Sequence, residues 1–138
     1  MRRFRKLSHA LWYCQYHIVW VPKYQFRILS GDVGHEVGRC IRAFTEQKGC
    51  EIVEMNIQID HVHLLVMIVP KVSDYVGTIK GRTAIRVFNK FRSLKQKPYW
   101  GNHLWAKGYC ADPVGLDEEK MRKYVKYQEA KGRQLELM

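Results

Sequence analysis

The chain is predicted to fold as an α+β domain: a ferredoxin-like β-α-β-β-α-β antiparallel sheet followed by a C-terminal helix. Three observations predict it. Four segments are rich in β-branched and aromatic residues, and two segments between them carry apolar residues at helical spacing. The length of 138 residues, with 46% hydrophobic and 27% charged residues, suits one globular domain over 1–138 with a single core. That order of elements is a split βαβ arrangement, which hosts many functions and decides none.

"YCQYHIVWV" (13–21) reads as the first strand. After "PKYQFRILSGD", Val33, Val37, Cys40, Ile41 and Phe44 recur at helical spacing. Ser30 or Asp32 is the cap and Gly49 the stop, so 32–48 is a helix. "CEIVEMNI" and "HVHLLVMIV" form two strands joined by a tight turn near Gln58 to Asp60. A second helix begins near Ser73 and runs through Val76, Ile79, Ala84, Val87 and Phe88, although Gly77 and Gly81 lower its propensity. "HLWAKGYCA" (103–111) reads as a fourth strand with a potential break at Gly108. "LDEEKMRKYVKYQEAKG" places acids in its first turn and bases towards its end, as a helix dipole favours.

The charge narrows the function classes. Lys and Arg number 24 against 13 acids, giving +11, which points to a polyanionic partner with nucleic acid ahead of an anionic membrane surface. The basic N-terminus imitates a secretory signal, but Gln15, Tyr16 and His17 interrupt its apolar run and no small-residue cleavage site follows. The longest apolar run, Leu64 to Val69, is far too short to cross a bilayer, so no membrane role is expected. Cys14, Cys40, Cys50 and Cys110 lack zinc-site spacing and read as reduced thiols of a cytoplasmic protein.

Two histidines interrupt the apolar strand. His61 and His63 stand two residues apart, so their side chains share one face at roughly 6 to 7 Å between Cα atoms and could converge on one ion. Val62, Leu64, Val66 and Ile68 form the other, uniformly apolar face, which should pack on the helices. The histidine face is then the open face of the sheet. The plainer alternative is a pair of histidines satisfied by backbone or water.

On the terminal helix Tyr124 and Gln128 are one turn apart and share a face. Tyr124 could equally pack as a core aromatic beside Met121 and Val125, and Tyr127 is the competing tyrosine. Between Asp74 and Asp112 there is no acidic residue, while Lys80, Arg82, Arg86, Lys90, Arg92, Lys95, Lys97 and Lys107 all fall there. This one-sign field suits a phosphate backbone. Arg82 and Arg86 should share a helix face, with Arg92, Lys95 and Lys97 in the loop that follows. Tyr99, Trp100, His103 and Trp105 interleave rings that could stack on unpaired bases; the alternative, a ring in the core, applies best to Trp105.

These residues carry a resemblance. "HIVWVPKYQFRIL", "DHVHLL", "KGRTA", "WGNHLWAKGYCADPVG" and "YVKYQ" run in order over nearly the whole chain. Together they resemble the single-tyrosine HUH transposases, the TnpA proteins of the IS-two-hundred type insertion sequences, and their domesticated relatives. The chain departs from the usual pattern at Leu104, Cys110 and Pro113.

The resemblance implies that His61, His63 and Gln128 hold a divalent metal, Mg²⁺ or Mn²⁺, and that Tyr124 is the catalytic nucleophile. It implies a single-stranded DNA partner with subterminal hairpins, nicked and rejoined through a 5′-phosphotyrosine. It also implies a homodimer in which the terminal helix of one subunit serves the histidines of the other. Two neutral imidazoles and a neutral amide would leave the ion's charge free to polarise a scissile phosphate. Two other classes remain open: a non-catalytic single-stranded nucleic-acid-binding module on the same scaffold, and a small metal-dependent phosphoesterase that hydrolyses with water. The first would not need His61, His63 and Tyr124 together, and in the second Tyr124 would be structural.

Overall fold

Alternation in one strand sets the orientation of the whole sheet. A computed structural model describes residues 14–68, 71–95, 103–113, 123, 126, 127 and 129–131. Strands β1 (Cys14–Trp20), β2 (Glu51–Gln58), β3 (His61–Ile68) and β4 (Cys110–Pro113) form one sheet in the order β2-β3-β1-β4. Helix α1 (Gly31–Gln47) links β1 to β2, helix α2 (Val72–Lys90) follows β3, and a short helix α3 (Arg92–Lys95) comes next. β3 pairs antiparallel with both β1 and β2, and β1 pairs antiparallel with β4. The two strands joined through α1 are therefore parallel with a third inserted between them, the split βαβ arrangement expected from the order of elements.

Val62, Leu64, Val66 and Ile68 are fully buried on the inner face of β3. They meet Ile18 and Trp20 of β1, Val37, Ile41 and Phe44 of α1, and Val76, Ile79 and Val87 of α2 in one core cluster. Each such side chain contributes about 1.5–3 kcal/mol by leaving water. Tyr75 of α2 is tied to Thr45 of α1 by a hydroxyl hydrogen bond of 2.7 Å, which fixes the two helices against each other. At the end of α1, Gly49 takes φ +71 and its N–H donates to the Glu46 carbonyl, so this glycine stops the helix as its composition suggested.

The hairpin turn falls at Ile59 and Asp60. Leu29 N–H donates to the Ile59 carbonyl at 2.9 Å and so pins that turn to the segment entering α1. β2 is an edge strand with an irregularity between Ile52 and Glu54, which leaves Val53 exposed.

The fourth strand is shorter and later than the 103–111 read from the sequence. Only Cys110–Pro113 pair with β1, because Gly108 at φ +80 breaks the extended run. The earlier half instead makes an isolated bridge, Pro22 to Trp105, and buries the indole edge-on against Trp20 at 5.8 Å between ring centroids. Trp105 is thus a core ring. Arg92 and Lys95 lie in the short α3 where a loop was expected. In the C-terminal region Lys123, Lys126, Tyr127 and 129–131 are helical, in agreement with the expected terminal helix.

Candidate catalytic face and nucleic-acid interface

His61 and His63 occupy the outer face of β3, both half-buried, while their neighbours Val62 and Leu64 point into the core. The two histidines therefore share the face of the sheet turned away from α1 and α2, as the alternation predicts, but that face is not open: Val19, opposite His63, is 4% exposed and Asp112, opposite His17, 5%. Pairing places Gln58 and Asn56 of β2 opposite His61 and His63 on one side. On the other side Val19 of β1 stands opposite His63, His17 opposite Leu65, and Asp112 of β4 opposite His17.

Each histidine is backed by a polar neighbour. His61 Nδ1 lies 2.9 Å from Asp60 Oδ1, and Asp60 Oδ2 accepts from Gln25 Nε2 at 3.1 Å. A carboxylate only accepts, so Nδ1 carries the hydrogen, and in a neutral ring the lone pair is then on Nε2. His63 Nε2 lies 3.3 Å from His17 Nδ1, with the two rings tilted by 45°. Among the described residues no three His, Cys, Asp or Glu side chains gather as a ligand cluster.

His17, Asp60, Gln25 and Asp112 were not singled out as site residues by the sequence reading. His17 could be found only once β1 was placed beside β3, since its partner is 46 residues away. Asp60 directly precedes the histidine pair, but its link to Gln25 spans 35 residues. Tyr124 and Gln128 lie outside the described residues, as do Tyr99, Trp100 and Lys97. Tyr127, the competing tyrosine, is exposed, with Lys131 Nζ 4.7 Å over its ring.

The basic residues divide into two kinds. Arg82 and Arg86 are exposed and both guanidinium groups stand 5.7 Å from the Phe44 ring, so they lie across α1 on the helical layer, opposite the histidines. Lys90, also exposed, reaches Glu36 at 3.1 Å, and Arg92 and Lys107 face solvent. Lys80 is different. Its ammonium donates to the carbonyls of Ala106 and Gly108 at 3.0 and 2.8 Å, and burial lowers its pKa to about 8. Its charge is spent holding the 106–108 segment.

A groove beside Lys90 and Phe91 is also lined by His35 of α1 and by Arg39 and Arg42, cations outside the basic segment read from the sequence. Within it Glu36 is buried and paired with Arg39 and Lys90, which hold its carboxyl down at about 2. Among the described residues Cys40, Cys50 and Cys110 form no disulfide. Among the described residues no helix is long and apolar enough to cross a membrane.

Comparison with known proteins follows the same lines. The family model described as "Transposase IS200 like" matches residues 10–128. The transposase for insertion sequence element IS200 of Salmonella typhimurium is 36% identical over 126 residues, covering 90% of this chain and 82% of that protein. The ISDra2 transposase TnpA of Deinococcus radiodurans is 34% identical over 120 residues, with 85% of each chain covered. The crystal structure of a candidate transposase from Deinococcus radiodurans superposes with a TM-score of 0.77 at 33% identity, covering 84% of this chain and 91% of that one. A REP-associated tyrosine transposase bound to a REP hairpin shares the fold at a TM-score of 0.54 and 13% identity, covering 92% of this chain and 70% of that one. The sheet order, the ordered motifs and the match over 10–128 agree, and the chain belongs to the IS200-like transposase family.

Proposed function

We propose that the chain is a metal-dependent transposase that nicks and rejoins single-stranded DNA at hairpin-marked ends through a 5′-phosphotyrosine intermediate. The observation that carries this reading is the outer face of β3, where His61 and His63 stand together over a packed core and His61 Nδ1 is engaged by Asp60. The donor set could accept a divalent ion, Mg²⁺ or Mn²⁺: two imidazole nitrogens lean towards Mn²⁺, and the amide oxygen of Gln128, the further proposed ligand, suits either. When bound, such an ion would polarise the scissile phosphate.

The chain's own residues have distinct roles in this reading. Tyr124 supplies the phenolate oxygen. Its bond to phosphorus forms as the bond from phosphorus to the leaving 3′ oxygen breaks; the tyrosine proton is lost to solvent and the 3′ oxygen takes one up, leaving a free 3′-hydroxyl. Because one phosphodiester replaces another, rejoining needs no nucleotide cofactor. Arg82, Arg86, Arg92 and Lys107, exposed and unopposed by acids along this segment of sequence, would bind the DNA backbone. A relative sharing this fold binds a hairpin, which supports hairpin ends as substrates. Among the described residues no further strand pairs with the sheet edges β2 and β4, which would leave room for the proposed homodimer.

The test is incubation with end-labelled single-stranded hairpin oligonucleotides from the native locus in Mg²⁺ or Mn²⁺, followed by a denaturing gel and peptide mapping. A covalent adduct on Tyr124, lost with chelator, with His61→Ala and with Tyr124→Phe, is expected. Tight binding without an adduct in either metal would replace this reading with a non-catalytic binding module. Cleavage that persists in Tyr124→Phe would replace it with hydrolysis by water.

A further inference from the structure

We propose that Gln25 is a positioning residue for the candidate metal centre, holding Asp60 so that Asp60 fixes the ring and tautomer of His61. The inference rests on the reading of His61 as a metal ligand.

Gln25 is 6% exposed, and its amide nitrogen is 3.1 Å from Asp60 Oδ2 while Asp60 Oδ1 is 2.9 Å from His61 Nδ1. The orientation of that amide is not free, since turning it over would set its oxygen against a carboxylate that can only accept. Donors therefore approach the carboxylate from both ends. One anchors it, and the other is the ring that it orients. Asp60 and His61 are themselves partly open to solvent, at 27% and 29% exposure. Without the Gln25 donor, water would compete for Oδ2 and the carboxyl group would be free to rotate.

The fold tolerates unfavourable features to keep this side chain in place. Tyr24 and Gln25 take φ of 58° and 56°, two successive left-handed residues that are not glycine. Gln25 Oε1 is buried without a hydrogen-bond partner. Glycine or asparagine would meet the backbone requirement with less strain, and an apolar side chain would avoid the orphaned oxygen. What glutamine supplies here, and none of these would, is a long-reaching donor to Asp60. Local strain and an unsatisfied buried atom at one residue are features that concentrate at functional sites.

The backbone keeps the two turns in register. Lys23 N–H donates to the Leu104 carbonyl and Gln25 N–H to that of Pro22, while Leu29 N–H holds the carbonyl of Ile59, next to Asp60. The Gln25 donor and its acceptor are thus carried by two turns that are each tied down at the same end of the sheet, where the end of β1 pairs with the start of β3. Metal-binding histidines depend on such backing for orientation and affinity.

The experiment uses full-length protein with ¹⁵N-labelled histidine. In metal-free wild-type protein His61 should be predominantly the Nδ1–H tautomer, read from long-range nitrogen–carbon-bound-proton correlations. Gln25→Leu should raise the Nε2–H population and weaken Mn²⁺ binding by roughly tenfold, measured by calorimetry. Asp60→Ala should do both, and Gln25→Leu added to Asp60→Ala should weaken binding no further, because Gln25 acts through Asp60. Should Gln25→Leu fail to fold, Gln25→Asn tolerates the left-handed backbone and shortens the reach by one methylene, and it should give the same two changes.

Wild-type tautomer and affinity in a folded Gln25 variant would overturn the inference, as would effects that add fully in the double variant. The tautomer is read without metal, so its loss in Gln25→Leu supports the relay independently. Failure of wild-type protein to bind Mn²⁺ would instead overturn the proposed metal chemistry.

Discussion

His17 of β1 reaches diagonally across to His63 of β3, so that their ring nitrogens lie 3.3 Å apart on the outer face of the sheet. For this contact to be a hydrogen bond, one ring must donate and the other accept. If His63 donates from Nε2, its neutral ring keeps a lone pair on Nδ1 for a metal. His17→Phe retains the ring and removes the acceptor. It should weaken Mn²⁺ binding by roughly tenfold in calorimetry while leaving the thermal midpoint within a few degrees. Unchanged affinity would make His17 a packing ring only.

Two kinds of glycine should respond in opposite directions to alanine. A Cβ at Gly34 would sit 2.6 Å from the Leu29 carbonyl oxygen, a backbone atom that cannot easily yield. Gly34→Ala should cost about 1–3 kcal/mol in urea denaturation. Gly77 and Gly81 lie on the exposed side of α2 with nothing within 4 Å of a new Cβ. Gly77→Ala or Gly81→Ala should stabilise by up to about 1 kcal/mol.

Glu36 predicts an acid-dependent loss of stability. Hydrogen bonding to Arg39 is the largest effect on its carboxyl, which falls from 4.5 to about 2 despite burial. A carboxyl that is a stronger acid when folded stabilises fully above its unfolded value. That contribution is lost as pH falls from 4.5 towards 2. Both cations remain mostly in solvent, so the contribution is about 1–2 kcal/mol after screening. Glu36→Gln should lower stability at pH 7 by this order, and the gap from wild type should close towards pH 2.

Lys80 predicts a trend of the same sign at high pH. Burial lowers its pKa from 10.5 to about 8, so between these values the unfolded chain binds more protons than the folded one. Its contribution to stability therefore rises with pH across that window. Lys80→Met should remove this rise in denaturation curves taken from pH 8 to 10.5, and hydrogen exchange should quicken around 104–108 as the carbonyl clip is lost.

Salt dependence separates Lys80 from the exposed arginines. If Arg82 and Arg86 each neutralise one phosphate of single-stranded DNA, replacing both with alanine should reduce the log–log salt slope by roughly 1.4. Lys80→Met should leave that slope nearly unchanged, because its ammonium already serves two carbonyls. Fluorescence anisotropy between about 50 and 200 mM salt measures both.

The parts of the molecule legible in the sequence are those whose signal is local. β3 declared both of its faces through the alternation of His61, Val62, His63 and Leu64, although Leu65 and Met67 on the histidine face are apolar, and Gly49 ended α1 where its backbone freedom was needed. The fourth strand was less legible because "HLWAKGYCA" has β-like composition, yet Gly108 divides it and Trp105 belongs to the core. Lys80 resembles the other bases of its segment until the fold turns it inward. His17 and Gln25 carry their meaning only through contacts 46 and 35 residues away, so register and turn docking had to be known first.

β3 also bears on which genetic changes this chain can absorb. Its eight residues carry two messages written in alternate letters, one addressed to the core and one to the outer face. Substituting a letter damages one message. Inserting or deleting one shifts every later residue to the wrong side, exposing leucine and valine while driving an imidazole into the core. This strand can therefore vary in spelling without varying in length, and a family alignment should show gaps around it but not within it.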